Sequence, residues 1–140
     1  MADITDTRPI FNNQGLLEQL QVDFPTLLAF YAFGSRAQGT ATEDSDLDLA
    51  VLVQGYAEPL ALWELANRLA DSVGCEVDLL DLRAASTVMQ AQILRTGHRL
   101  WAKQPEADLF EMFALSEKTA LDEARAGLLA DIQRRGSIYG

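Results

Sequence analysis

Asp46 and Asp48, two carboxylates separated by one leucine, stand at the head of an apolar run that ends at Val53. Asp46 to Val53 reads as a strand. Side chains alternate across a strand, so both acids share one face and Leu47, Leu49 and Val51 share the other. Two rises of about 3.3 Å set the carboxylates roughly 7 Å apart, a span that two divalent ions about 3.5–4 Å apart can bridge. Like charges on a hydrophobic strand repel and resist burial, and a bound cation removes that objection.

A second feature lies just upstream. The aromatic-rich run Leu27 to Phe33 stops at Gly34-Ser35, as a buried strand does on entering a helix. Ser35 is expected to cap the short segment Arg36-Ala37-Gln38, with Gly39 closing it. A glycine-serine turn at a helix start offers backbone N–H groups and a positive dipole end to a phosphate. Gly34 allows close approach of the backbone, Ser35 adds a hydroxyl, and Arg36 is placed to pair with a terminal phosphate. A phosphate seat facing a metal-binding acid pair is the outline of nucleotidyl transfer from a nucleoside triphosphate with magnesium.

Gly34-Ser35, ten residues, then Asp46-x-Asp48 resembles the signature of the DNA polymerase β-like nucleotidyltransferase superfamily. Gly34-Ser35-Arg36-Ala37-x-Gly39 followed by Asp44-Ser45-Asp46-Leu47-Asp48-Leu49 is most similar to its smallest branch, the minimal nucleotidyltransferase (MNT) antitoxins paired with HEPN-domain toxins. The resemblance implies a small mixed sheet with helices, of α/β (α+β) class, and a third strand that brings another acid beside the first two. Val77-Asp78-Leu79 fits that strand, and an unpaired acid in its apolar part would be costly. Asp81 competes for the place, but alternation turns it to the opposite face.

The resemblance also implies roles. Asp46 and Asp48 would hold two Mg²⁺ ions, Asp78 would serve as general base or further metal ligand, and Gly34, Ser35 and Arg36 would seat the β- and γ-phosphates of ATP. The acceptor would be a tyrosine of a HEPN ribonuclease toxin, silenced by AMP. Two other readings stay open: transfer to a small-molecule hydroxyl such as an aminoglycoside, and a non-catalytic antitoxin that inhibits by occlusion.

Size and charge bound these readings. A chain of 140 residues, 49% hydrophobic, is expected to form one soluble domain with a core at about residues 12–103 and a C-terminal helix at about 106–136. No run suits a signal or transmembrane segment, and the single cysteine, Cys75, fits a reducing cytoplasm. A net charge of −10 lacks the footprint of a nucleic-acid binder and favours a protein or small-molecule acceptor.

The elements that must position the site follow from periodicity. A helix from Asn12 or Asn13 to about Asp23 carries Leu16, Leu17, Leu20 and Phe24 on one stripe. A helix from Pro59 to Val73 carries Leu60, Trp63, Leu65, Ala66, Leu69 and Val73, with Trp63 expected in the core, and Gly74 stops it. The third strand is expected at Glu76 to Leu82, then a helix from Ala84 to about Arg95 with Val88, Met89, Ile93 and Leu94 inward. His98 to Ala102 reads as a last strand with Trp101 in the core, and His98, lacking any triad partner, stays outside the chemistry. The helices are expected on one side of the sheet. The long last helix is apolar on several sides in its first half, which suits both a cover for the sheet and a partner surface.

Overall fold

The computed structural model describes residues 13–42 and 44–139, so a start of the first helix at Asn12 lies outside it. In chain order the elements are α1 (Asn13–Asp23), β1 (Leu27–Phe33), α2 (Gly34–Gln38), β2 (Leu47–Val53), α3 (Pro59–Val73), β3 (Val77–Asp81), α4 (Thr87–Thr96), β4 (His98–Ala102) and α5 (Glu106–Tyr139). The strands form one sheet in the order β3-β2-β1-β4. β1 pairs antiparallel with β2 and β4, and β2 pairs parallel with β3 across the α3 crossover, so the sheet is mixed as expected.

Helices cover both faces, which corrects the one-sided arrangement. Leu47, Leu49, Val51 and Val53 face a core shared with Leu16 and Leu20 of α1 and Leu62, Leu65 and Leu69 of α3. Ala50 and Leu52 face the opposite way, against Ile93 of α4 and Ala107, Phe110 and Ala114 of α5. β2 is apolar on both sides because it lies inside the sheet, and such a strand needs two covering layers.

Two helix faces differ from expectation. The buried stripe of α3 is Leu62, Leu65, Ala66, Leu69 and Val73, which turns Leu60 and Trp63 outward at 57% and 64% exposure. Trp63 is therefore a surface residue, since one residue of phase rotates a helix by about 100°. In α4, Ala91 and Ile93 are buried while Val88 and Met89 are largely exposed; the helix begins at Thr87, where the Ser86 hydroxyl caps the Met89 N–H at 3.1 Å. Trp101 is half-buried.

α5 is tied to the sheet by a polar cluster that spacing does not reveal. The buried Tyr31 hydroxyl donates to Glu111 at 2.6 Å, and Arg99 donates to Glu111 and Asp108. Burial, reinforced by the hydrogen bond to Glu111, pushes the Tyr31 hydroxyl well above its usual range, so it stays a donor.

Candidate active site

The sheet pairing assembles the acids. Asp48 sits opposite Phe33, the last residue of β1, and the parallel register places Asp78 of β3 directly beside it. Asp46 precedes the first residue of β2 and acts on Asp48 electrostatically. Asp46 and Asp78 are exposed and Asp48 is half-buried, so the cluster lines an open end of the sheet. The exposure of Asp78 removes the burial cost expected of it, and its register beside Asp48 sets it apart instead.

Asp81 takes a structural place. It is 7% exposed and accepts from the Ala57 N–H at 2.9 Å and the Arg83 N–H at 3.1 Å, at the far end of β3. Replacing Asp81 with alanine leaves a buried N–H without its acceptor and is expected to cost about 2–3 kcal/mol in urea unfolding. The acid cluster at the other end of the sheet is untouched.

The turn packs directly on this cluster. α2 starts at Gly34, with Phe33 as N-cap and no side-chain capping bond, so Ser35 lies inside the first turn and is not the cap expected of it. Gly34 adopts φ +79°, and a Cβ built there would lie 2.3 Å from Asp48 Oδ2. Glycine is required twice over, by the left-handed backbone and by the carboxylate against it.

Arg36 has a different setting from the expected phosphate pairing. It is 4% exposed, and its Nε and one terminal nitrogen donate to the Ser45 carbonyl at 3.1 and 2.7 Å. The guanidinium thus clamps the loop immediately before Asp46. From the other side, His98 Nε2 lies 2.8 Å from the Ala37 carbonyl, fastening α2 to β4. A substitution Arg36→Met is expected to keep the fold but loosen Asp46, raising the metal concentration for half-maximal activity about tenfold, with Arg36→Lys intermediate because one donor point replaces a fork. A metal titration of turnover reads this out.

Burial first, then repulsion from Asp78 and Asp46, pushes the Asp48 carboxyl up to about 6, and among the described residues no cation opposes the rise. Hard oxygen donors crowded without a counter-charge suit a divalent cation such as Mg²⁺. Among the described residues no three acidic, histidine or cysteine side chains close around one point. An ion held by one or two carboxylates and completed by substrate phosphates fits that open set.

Residues 16–106 match the polymerase β nucleotidyltransferase domain. The chain belongs to that family. It is 37% identical over 121 residues to the protein adenylyltransferase MntA of Shewanella oneidensis, covering 86% of this chain and 87% of that protein. Among solved structures it superposes on a toxin–antitoxin with AMP-PNP at a TM-score of 0.77 and 36% identity, covering 88% of this chain and 99% of that one. A second likeness is to the structure of a tri-AMPylated Shewanella oneidensis HEPN toxin in complex with MNT antitoxin, at a TM-score of 0.70 and 33% identity over 86% and 95% of the two chains.

The fold brings together Gly34 and Ser35 on the turn, Asp46 just before β2, Asp48 on β2 and Asp78 on β3. The clamping residues Arg36 and His98 were not legible as such. Their partners are backbone carbonyls distant in sequence, and a carbonyl leaves no mark in residue identity. Among the described residues no helix is long and apolar enough to cross a membrane.

Proposed function

We propose that this protein transfers AMP from ATP to a tyrosine hydroxyl of a cognate HEPN ribonuclease toxin and thereby acts as its antitoxin, in the cytoplasm. The observation that supports it most is the juxtaposition of Asp46, Asp48 and Asp78 against Gly34, in a chain 37% identical to a protein adenylyltransferase. The likeness to a toxin–antitoxin with AMP-PNP favours ATP as donor.

Asp46 and Asp48 would hold Mg²⁺, with Asp78 as a further ligand or as base. Two such ions, when bound, would neutralise the triphosphate and the charge on the entering and leaving oxygens. Gly34 and Ser35 seat the β- and γ-phosphates on backbone N–H groups, and Gly34 brings that backbone against Asp48, so phosphate seat and metal ligand share one rigid junction. Arg36 fixes the loop that carries Asp46. Asp78 accepts the proton of the acceptor hydroxyl as its oxygen bonds to the α-phosphorus. The bond from that phosphorus to the β-phosphate oxygen breaks, and pyrophosphate leaves.

Purified toxin incubated with the protein, ATP and Mg²⁺ is expected to gain the mass of an adenylyl group (AMP less water) on a tyrosine and to lose ribonuclease activity. An unmodified toxin that is nevertheless inhibited would overturn the reading in favour of occlusion.

A further inference from the structure

The stripe by which α5 packs on the sheet does not end where the sheet ends. Ala107, Phe110 and Ala114 are buried against β1 and α4, yet from Ser116 to Arg135 no side chain is buried. This projecting portion is about 30 Å long at 1.5 Å per residue. Phe110, Ala114, Leu121, Leu128 and Ile132 follow one another at separations of four or seven residues, so the core-facing line continues along the projection. On it Leu121 is half-buried while Leu128 and Ile132 are 59% and 54% exposed. Leu109 and Met112, exposed nearer the body, stand one and two residues from Phe110 and so point away from that line.

The projection leaves the body at the acid end of the sheet. α5 begins level with Leu28, whose carbonyl accepts from the Lys103 N–H, and Glu111 has reached Tyr31 two turns before Lys118. β1 runs the same way, from Leu27 to Phe33, and Phe33 is opposite Asp48. Hydrogen bonds from Lys118 hold the Asp122 carboxyl below its usual range, and Arg95 in the last turn of α4 adds to the effect. Arg95 precedes Gly97, which packs against Phe33.

Helices draw most of their stability from packing of an apolar face, and from Ser116 to Arg135 the body supplies no buried contact to this one. We propose that the seam Leu121–Leu128–Ile132 is the docking surface for a helix of the HEPN toxin, seated so that the acceptor hydroxyl is delivered to Asp46, Asp48 and Asp78. This rests on the function proposed above and adds where the partner binds. The occupant follows from position: the seam is continuous with the face that packs on the catalytic sheet and emerges beside the acids. A heptad-like seam fits an apolar ridge of another helix.

The test measures toxin affinity by calorimetry in an Asp46→Asn/Asp48→Asn background, where turnover does not interfere. Leu128→Asp/Ile132→Asp is expected to weaken toxin binding about 30-fold or more, while Leu109→Asp/Met112→Asp changes it less than about threefold. With the acids intact, Leu128→Asp/Ile132→Asp should raise KM for toxin and leave Mg-ATP affinity unchanged. Circular dichroism checks the helix, and Leu128→Gln/Ile132→Gln decides if the aspartates unwind it. Unchanged toxin affinity in the seam variants overturns the proposal, as does a wild-type self-association that they abolish while toxin binding persists. A wild-type protein that binds toxin through the seam and transfers no AMP would sink the transferase reading alone.

Discussion

Replacing Asp48 with asparagine is expected to lower AMP transfer by on the order of 10³-fold, the scale seen when a preorganised electrostatic group is removed from a reacting centre. The substitution keeps the shape and removes the charge that holds the metal, so kcat should carry most of the loss. The same change should stabilise the metal-free fold. The Asp48 carboxyl, ordinarily at 3.8, is pushed up to about 6 by burial and by Asp78 and Asp46. The folded state therefore holds that proton more tightly than the unfolded state does. Metal-free stability falls as pH rises from about 4 through about 6 and stays lowered above it. Asparagine has no such charge. Its melting temperature in chelator should exceed that of wild type at pH 7.5 and converge with it near pH 4. Adding Mg-ATP should raise the wild-type value and leave the variant's nearly unchanged. Equal melting temperatures at pH 7.5 would show that the acids do not repel as placed.

Gly34→Ala should be nearly as damaging to catalysis, by a different route. The left-handed backbone costs an alanine roughly 1–2 kcal/mol, and the added Cβ would lie 2.3 Å from Asp48 Oδ2. The carboxylate must move, and a displacement of about 1 Å at a reacting centre can cost about 10²-fold in rate. Gly55 provides the control, since it has φ +76° and nothing within 4 Å of its added Cβ. Gly55→Ala should lose similar stability in urea and keep its AMP transfer per folded molecule. If both variants transfer AMP normally, the contact between turn and acid carries no function.

What was legible in the sequence was local. Alternation along β2 put Asp48 on one face and Leu47, Leu49 and Val51 on the other, and the structure keeps that division. The glycine-serine turn was readable because a strand breaking at Gly34 has few other outcomes. Asp78 was separable from Asp81 by parity alone, three residues being an odd step across a sheet. What escaped was tertiary. Trp63 has the spacing of a core aromatic, yet Leu62, one residue before it, takes the buried phase. Both faces of β2 are apolar, which already hinted at helices on both sides, but periodicity cannot say which helix goes where. Arg36 carries a charge that suggests phosphate, and only the fold reveals that the Ser45 carbonyl occupies it.

The most direct test follows the label. ATP carrying ³²P at the α-phosphate, and in a parallel reaction at the γ-phosphate, is incubated with Mg²⁺, the toxin and either wild type or Asp46→Asn/Asp48→Asn. The account predicts label on the toxin from the α position only, with wild type only. Label from the γ position, or neutralisation of the toxin by the acid variant without any label, would contradict it.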